Sequence, residues 1–533
     1  MTGAENTFEM ANFKRQISKI DRKLILGWTA LVLLFFLLRL MSLTLLPVFA
    51  DEAIYVRWAQ VMRAEPTLRF LPLSDGKQPF FMWLLMFLLP LTEDPLLVGR
   101  LISVLAGFGS FIGITLLSYF LFRDKKISFL SAFLYTVIPY FVFFDRLALV
   151  DSLLSMLAVW TYLLAVLLAH YLRLDLAMIT GIILGAAFLT KSPAIFVAFL
   201  ILPSALFLHK NNRLKKPYLL QLIKLGGFWL VVYFFAFVIY NLLRLGPNFG
   251  MIATRNQDYI FPIREVFRHP LDPLKPHLND LITWLPNLFT PPVILLIFLG
   301  VFMRWLMKTD RRQILFLVSL FIVPIFTQSA VARVFAPRYL LFAVWPAVIL
   351  AAVGIDCLSK YLGRCNKRLP EGWLQGVIVT LLLFFTLSYV RWLLVDPAQA
   401  PLPRKMRSGY LEEWTSGYGI KEAVSFINRR VAETNRNILV GTEGYFGTLP
   451  DGFQMYFDQN RRVIVVGVGQ PVREVPVSLL NATVDNEVYL LVNQSRFLVG
   501  QDARLIPIAR YPKASGPNGQ DFLLLFQVKN ESS

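Results

Sequence analysis

The sequence predicts a polytopic α-helical membrane protein with about eleven transmembrane helices and a small soluble α/β domain at its C-terminal end. Three observations support this fold class. Of the 533 residues, 56% are hydrophobic and only 16% are charged, whereas soluble domains carry about 25% charged residues. Long apolar runs alternate with short basic segments up to residue 395. Beyond that residue the apolar runs become short and strand-like.

The spans are recognised by their length, because about 20 apolar residues cross a bilayer as a helix. The predicted spans are 24–47, 95–122, 127–144, 152–171, 176–190, 193–208, 222–243, 288–306, 313–327, 338–357 and 373–395. The fifth and sixth spans are short, so a tilted or re-entrant pair of helices is an alternative interpretation of these two segments. The first resembles a signal peptide ending at Ala50, but it is longer than the usual apolar region of about 7–15 residues. We expect it to be retained.

The basic residues predict the orientation. Although the net charge is +19, many lysines and arginines lie in short segments between alternate spans, which is typical of cytoplasmic loops. They include Lys14, Arg15, Lys19, Lys23, Arg123, Lys126, Lys210, Arg213, Lys215, Lys216, Arg311, Arg312, Lys360, Lys367 and Arg368. We therefore expect the protein to contact membrane lipid and not to bind nucleic acid. Residues 1–23 are predicted to be cytoplasmic, and an odd number of spans places the C-terminal domain outside.

The first outer loop, residues 48–94, begins with the adjacent acids Asp51 and Glu52. Segment 53–69 has apolar residues at helical spacing and segment 80–90 is too short to cross, so both are predicted as interfacial helices. Carboxylates are costly next to lipid and usually have a function there. The loop is therefore the first candidate site.

The C-terminal region is predicted to be extracytoplasmic. Residues 396–409 are a proline-rich linker and 410–533 a soluble domain. We predict a helix over 421–433, short strands over 437–444, 461–469, 486–494 and 521–528, and a second helix over 447–459. The aromatic turn at 442–452 is either a contact for an acceptor or an ordinary strand-to-helix loop.

The charged residues of the outer loops predict the chemistry. A carboxylate at the membrane surface can act as a general base toward a hydroxyl, and lysine or arginine side chains can bind and neutralise a phosphate. This combination suits a substrate with a lipid tail and a phosphate head, such as a polyprenyl-phosphate sugar. No HExxH or P-loop motif is present, and Cys357 and Cys365 form neither a disulfide framework nor a metal-binding spacing.

Five motifs carry a resemblance to a known family. They are DEAIY, GKQPFFMW, LALVDSLL, FLTKSP and FAPRYLLFAVWP, in this order within residues 24–346. Together they resemble the GT-C glycosyltransferases of the protein O-mannosyltransferase and aminoarabinose transferase kind. The resemblance implies a multi-span catalytic body over 24–395, an outer soluble domain and an inverting sugar transfer.

The resemblance also implies roles for individual residues. Asp51 matches the catalytic base, with Glu52 beside it, and Asp151 matches a further acid of the second outer loop. The donor phosphate site is implied at Tyr55, Lys77, Lys191, Arg338 and Tyr339, and Arg333 joins it from the same outer loop. No metal ligand is assigned, although a divalent metal as cofactor stays open.

Some residues depart from the family or have simpler explanations. Ile54 stands where the aminoarabinose branch often has arginine, and Gln78 and Phe80 replace residues of the KPPL-type segment. Lys191 has the alternative of a helix-end lysine reaching for the membrane surface. Asp151 has the alternative of a helix N-cap. The neighbouring Asp145 and Arg146 are predicted to pair with each other.

The sequence therefore predicts a polyprenyl-phosphate-sugar-dependent glycosyltransferase of the cytoplasmic membrane that acts on an extracytoplasmic protein, lipid or glycan. One rival is a transporter or flippase for a lipid-linked or anionic solute, although no internal repeat is evident. A second rival is a non-catalytic assembly or sensor protein that works through the C-terminal domain.

Overall fold

The structure is a computed structural model that describes residues 22–208, 218–366, 368–517 and 519–529. Most of the predicted cytoplasmic segment 1–23 lies outside these residues, as do Lys210, Arg213, Lys215, Lys216 and Lys367. The helices of the membrane part are α1 (Arg22–Leu40), α2 (Ala50–Ala64), α3 (Phe80–Leu88), α4 (Pro95–Phe122), α5 (Lys125–Val137), α6 (Pro139–Phe144), α7 (Val150–Tyr171), α8 (Leu174–Thr190), α9 (Ala194–Phe199), α10 (Tyr218–Tyr240), α11 (Met251–Tyr259), α12 (Ile263–Arg268), α13 (Leu271–Phe289), α14 (Pro291–Leu306), α15 (Arg311–Val331), α16 (Leu341–Val344), α17 (Pro346–Cys365) and α18 (Glu371–Val395).

Seven helices in the described part of the chain are long and apolar enough to cross a membrane, namely α1, α4, α7, α10, α15, α17 and α18. Helices α13 and α14 form an eighth candidate, which is bent by 102°. Shorter apolar helices cover Phe80–Leu91, Leu174–Thr190 and Ala194–Phe207. The chain is therefore a multi-pass membrane protein, as predicted. The number eleven and the sidedness of the loops stay predictions.

Several predicted spans are interrupted. Helix α1 ends at Leu40, and turns follow it up to residue 46. The run 127–144 divides between α5 and α6 at Pro139, which has no N–H to continue the helix. The run 193–208 consists of α9 and a 3₁₀ helix, Leu202–Phe207. Apolar composition predicted where these segments lie but not where their backbone bends.

The segment 244–287, which was predicted as an outer loop, is largely helical. It contains α11, α12 and most of α13, and a short β-bridge joins Ile260 after α11 to Ala332 after α15. Helix α13 contains Pro276 and Pro286, two residues that usually interrupt a helix. This segment forms one side of the cavity described below.

Buried arginines fix the turns that follow α1. The guanidinium of Arg146 donates to the carbonyls of Leu38, Arg39, Met41 and Ser42 at 2.8–3.1 Å. Asp145 instead pairs with Arg39 at 3.0 Å, and both side chains are buried. The predicted pair between Asp145 and Arg146 is therefore wrong. Its place is taken by contacts between distant segments, which satisfy the carbonyls left free where α1 ends.

The C-terminal domain is an α/β unit, as predicted. Its elements are α19 (Arg404–Arg407), α20 (Ile420–Glu433), β1 (Asn437–Thr442), α21 (Asp451–Gln454), β2 (Val463–Gly467), α22 (Val477–Ala482), β3 (Asn486–Asn493), β4 (Leu505–Gly516) and β5 (Gly519–Val528). The sheet order is β2-β1-β3-β5-β4, with β1 parallel to both neighbours and β5 antiparallel to β3 and β4. Strand β4 was not predicted, because its prolines interrupt the alternation. The predicted helix 447–459 is reduced to α21 and a 3₁₀ turn.

The soluble domain packs directly on α2. The backbone N–H of Ala50 donates to the carbonyl of Thr415 at 3.1 Å, and that of Gly417 donates to Val48 at 2.8 Å. The Gln60 amide donates to the Met455 carbonyl at 2.8 Å. Because the first two bonds use backbone groups at the start of α2, the C-terminal domain helps to fix the position of the helix that carries the acid pair.

Candidate active site

Helix α2 begins directly after Phe49, and its first turn contains Asp51 and Glu52. The Glu52 carboxylate accepts from the Phe49 N–H at 2.9 Å, and acids in a first turn are favoured by the helix dipole. Successive residues of a helix point about 100° apart. The two adjacent acids therefore face different surroundings.

Asp51 faces two cations. One carboxylate oxygen accepts from the guanidinium of Arg338, and the other lies 3.7 Å from the ammonium of Lys77. Burial alone would raise the pKa of Asp51, but Arg338 and Lys77 together lower it well below its usual range. Asp51 is therefore an ionised carboxylate whose two oxygens are both occupied by cations.

A second ion pair lies beside the first. The Lys191 ammonium donates to the Asp151 carboxylate at 2.6 Å and lies 4.3 Å from the centre of the Tyr339 ring. Lys191 therefore has two partners within the protein. Asp151 is the second residue of α7, whose N-cap is Leu149. The N-cap alternative for Asp151 is not what the structure has, since its carboxylate binds Lys191.

The Lys77 side chain is part of a longer chain of charges. Its ammonium lies 3.4 Å from Asp75, and Asp75 lies 3.6 Å from the guanidinium of Arg255 on α11. The same ammonium is 5.2 Å from the Tyr55 ring centre and 5.6 Å from that of Trp58. Asp75 and Arg255 were expected among the charges of the outer loops, but no specific site role was assigned to them. Their signal was only their charge in the outer loops, because neither belongs to a matched motif.

The turn before Lys77 requires a glycine. Gly76 has φ +65°, and a Cβ there would lie 2.4 Å from the Cβ of Arg255 and 2.5 Å from the carbonyl oxygen of Met251. A left-handed φ favours glycine, and the close approach leaves no space for a side chain. Gly76 therefore brings the Lys77 turn against α11.

These residues surround one cavity of about 740 Å³, within the size range of small-molecule sites. Six of the predicted site residues line it, namely Asp51, Tyr55, Lys77, Lys191, Arg338 and Tyr339. Much of the remaining wall is apolar and comes from α8, α9 and α10, where it includes Phe188, Phe196, Phe199, Ala236 and Phe237. Phe199 and Phe237 are 63% and 61% exposed, so this apolar wall reaches the surface of the molecule.

Three predicted site residues do not line this cavity, namely Asp151, Glu52 and Arg333. Asp151 is buried and is paired with Lys191. Glu52 is fully buried, with Arg100 at 2.8 Å and the Ala148 N–H at 2.6 Å. Arg333 is exposed, lies against the Phe261 ring and lines a separate cavity of about 230 Å³. Glu52 points away because it is one helical step from Asp51. Arg333 is directed elsewhere by the β-bridge at Ala332.

The acid of the cavity lining that a metal ion would meet is Asp51. Among the described residues, no group of three or more histidine, cysteine, aspartate or glutamate side chains is placed to bind a metal ion. The carboxylate oxygens of Asp51 already contact Arg338 and Lys77. Cys357 and Cys365 are free thiols.

Comparisons with known proteins agree with this arrangement. Residues 76–240 match the family model described as dolichyl-phosphate-mannose-protein mannosyltransferase. Two crystal structures of ArnT from Cupriavidus metallidurans, one bound to undecaprenyl phosphate and one in the apo state, each align with 95% of this chain and 97% of their own, at 14% identity and a TM-score of 0.54. The chain has a GT-C glycosyltransferase fold of the protein O-mannosyltransferase and ArnT type.

The predicted GT-C resemblance is therefore confirmed. The matched segment of the family model contains Lys77, Asp151 and Lys191, whereas Asp51 and Arg338 lie outside it. The structural alignment extends over nearly the whole chain, which includes the soluble domain. Among curated protein sequences, no match to the chain is found.

Proposed function

We propose that this GT-C protein transfers a sugar from a polyprenyl-phosphate donor to an acceptor outside the cytoplasmic membrane, with inversion at the anomeric carbon. The acceptor is a protein, a lipid or a glycan. The soluble domain and the cavity face the outer side in this proposal, and the N-terminus is cytoplasmic.

The observation that carries the proposal is the two-part lining of the cavity. Asp51, Lys77, Lys191 and Arg338 supply charge on one part, and an aromatic wall from α8–α10 that reaches the molecular surface supplies the other. A polyprenyl-phosphate sugar is divided in the same way. Its phosphate and sugar form a polar end, and its polyprenyl chain is apolar. The ArnT structure with undecaprenyl phosphate, which shares this fold, supports the same class of ligand.

The ion pairs suggest how the donor prepares the base. Arg338 and Lys77 are the cations nearest to Asp51, and a donor phosphate would compete for both of them. When these cations turn to the phosphate, the oxygens of Asp51 become free to accept a proton. Binding of the donor and activation of the base are thus one event in this proposal.

The proposed reaction is a single displacement. The acceptor hydroxyl oxygen forms a bond to the anomeric carbon while Asp51 takes its proton, and the bond from that carbon to the phosphate oxygen breaks. The electron pair stays on the leaving polyprenyl phosphate, where Lys77 and Arg338 stabilise the added negative charge. Attack on the face opposite the phosphate inverts the configuration.

The other acids act through neighbouring groups in this proposal. Asp151 orients Lys191 toward the cavity through their 2.6 Å contact. Glu52 fixes the start of α2 through Arg100, Phe49 and Ala148, so we assign it a positioning role. Tyr55 and Tyr339 contact the ammonium groups of Lys77 and Lys191 through their ring faces. Arg333 has no assigned part in the transfer.

Purified protein in lipid nanodiscs, supplied with radiolabelled polyprenyl-phosphate sugars and with cell-envelope fractions as acceptors, provides the test. We expect label to appear in acceptor material with the wild type and not with Asp51→Asn. Movement of unreacted label across the bilayer of proteoliposomes, without any transfer product, would instead favour the transporter alternative.

A further inference from the structure

Two aromatic side chains are exposed in a loop whose other residues are buried. The loop covers residues 443–450 after β1, and we call it the aromatic loop. Tyr445 is 75% exposed and Phe446 is 47% exposed, whereas every other residue of the loop is buried. Large apolar side chains usually occupy the buried positions of a packed segment. Because exposed apolar side chains next to each other often mark a contact with another molecule, the aromatic loop is a candidate binding surface.

Hydrogen bonds fix the backbone of the aromatic loop on its own domain. The Gly444 N–H donates to the Gly469 carbonyl at 2.8 Å. The Gly447 N–H donates to the Asp451 carboxylate at 2.7 Å. Gly444 and Gly447 have φ values of +71° and +118°, which favour glycine. The two rings are therefore held in place by the loop itself, and a preorganised surface loses little conformational freedom when it binds a ligand.

The aromatic loop lies beside the face of α2 that carries the proposed base. Asp51, Tyr55 and Trp58 are four and three positions apart, so they share one face of this helix. The Phe446 ring is 5.9 Å from the Trp58 ring, which is 6.1 Å from the Tyr55 ring. Trp58 also lies 5.6 Å from the Lys77 ammonium, and this ammonium contacts Asp51. A row of aromatic rings thus leads from the exposed loop to Asp51.

The sheet topology favours a ligand at the same place. The aromatic loop follows the carboxyl end of β1, which is parallel to both β2 and β3. The chain leaves β1 on the side of β2 and leaves β3 on the side of β4 and β5. Open α/β sheets bind their ligands outside the carboxyl ends of the strands where the connections reverse in this way. The exposed rings therefore lie at the edge of the sheet where a ligand is expected.

We propose that Tyr445 and Phe446 bind the acceptor and that this acceptor is a glycan. This inference rests on the proposed function and names the acceptor class and its binding surface. Sugar rings have apolar C–H faces, which pack on exposed aromatic rings, and hydroxyls at their edges. The Tyr445 hydroxyl and the exposed amide of Gln470, which lies beside Gly444, offer polar partners for these hydroxyls.

Two other occupants fit the aromatic loop less well. A loop that binds a membrane surface combines aromatic with basic residues, and residues 443–450 contain no lysine or arginine. A peptide that adds to a domain through its main chain needs free backbone groups, but the N–H groups of Gly444 and Gly447 are already bonded within the domain. A sugar ring uses the faces of side chains, and these are what the loop exposes.

Transfer kinetics test the assignment. The acceptor is the glycan fraction of a cell envelope, freed of protein by protease and of lipid by solvent extraction, and the donor is a radiolabelled polyprenyl-phosphate sugar. We expect the double variant Tyr445→Ala/Phe446→Ala in nanodiscs to raise the KM for this fraction at least about fivefold. Its kcat should stay within about twofold of the wild type, because the lost contacts bind the substrate and the transition state equally.

The matched control is Val484→Ala. Val484 is 71% exposed and precedes β3, so it lies at the opposite, amino edge of the parallel strands. This control should change neither KM nor kcat. Tyr445→Trp keeps an aromatic face and should bind the glycan fraction nearly as the wild type does.

The outcomes separate this inference from the proposed function. Label that enters envelope protein or lipid but not the glycan fraction would overturn the acceptor class, and an unchanged KM of the double variant would overturn the binding surface. A rise in KM that occurs in nanodiscs and disappears in detergent would show that the rings bind the membrane instead. In each case the proposed sugar transfer stands. Transfer to no envelope fraction by the wild type would overturn the proposed function itself.

Discussion

The carboxylate of Asp51 and the guanidinium of Arg338 form an ion pair although 287 positions separate them in the sequence. The pair joins the first turn of α2 to the 3₁₀ turn Pro337–Leu340, which precedes α16. Two segments that follow different spans thus meet at one wall of the cavity. The same pair gives both the base and the phosphate-binding group of the proposed reaction, so its members should respond to mutation in different ways.

Asp51→Asn should reduce sugar transfer by at least about 10²–10⁴-fold, the usual contribution of a general base. The amide has nearly the same shape as the carboxylate but accepts no proton, so folding and membrane insertion should persist. Transfer rates and size-exclusion profiles of the purified variant check this. Asp175→Asn, which changes an exposed acid paired with Arg173, is the control. Near wild-type transfer by the Asp51 variant would exclude Asp51 as the base.

Arg338→Gln should move the acid limb of the pH dependence of kcat/KM to higher pH. Asp51 must be ionised to act as a base, and Arg338 is the largest influence that lowers its pKa. Without Arg338, burial raises the pKa of Asp51, and only the weaker effects of Lys77 and Lys191 still oppose it. The kcat/KM of each enzyme is divided by its own maximum value. Weaker donor binding by the variant therefore does not shift the pH profile. An unmoved acid limb would show that another group sets it.

Arg338→Gln should also change the stability of the folded protein. Because the pKa of Asp51 is lower in the folded protein than in the unfolded chain, this residue contributes stability above its unfolded pKa. That contribution is lost as the pH falls through the folded pKa. Arg338→Gln should therefore lower the stability of the protein mainly above the unfolded pKa of Asp51, as thermal unfolding at several pH values would show.

Glu52→Gln should damage the fold more than the chemistry. Glu52 and Arg100 are both fully buried and 2.8 Å apart, and loss of one partner leaves a buried charge without compensation. Breaking such a pair costs about 3–5 kcal/mol. Thermal unfolding in detergent should show a clear decrease for Glu52→Gln and a much smaller one for Asp51→Asn. Full stability together with lost transfer would instead indicate a direct catalytic role for Glu52.

The sequence predicted several of the charged residues that meet in the cavity. Asp51, Lys77, Lys191 and Arg338 were assigned to the site because they belong to recognisable motifs in the predicted outer loops. Asp75 and Arg255 were expected only among the outer charges, since they belong to no such motif and their contacts with the site are tertiary. The roles of Glu52 and Asp145 depended on which way a side chain points, and that is set by packing.

The fold also divides into features that a local sequence pattern predicts and features that depend on tertiary contacts. Hydropathy predicted the apolar helices and the C-terminal sheet region, because both leave a pattern in the local sequence. It did not locate the breaks at Leu40 and Pro139, nor the helices within 244–287, because these depend on how neighbouring segments satisfy backbone groups. Strand β4 was missed for a related reason, since its pairing with β5 outweighs the poor propensity of its prolines.

Gly76→Ala should weaken donor binding without removing any charged group. The new methyl would lie 2.4 Å from the Arg255 side chain at a backbone φ of +65°, so the turn must move away from α11, and Lys77 must move with it. We expect weaker binding of undecaprenyl phosphate and a loss of roughly 1–3 kcal/mol in stability. Gly226→Ala on α10 is the matched control, because nothing lies within 4 Å of its added methyl. If the two variants bind undecaprenyl phosphate equally well, the position of Lys77 does not depend on this glycine.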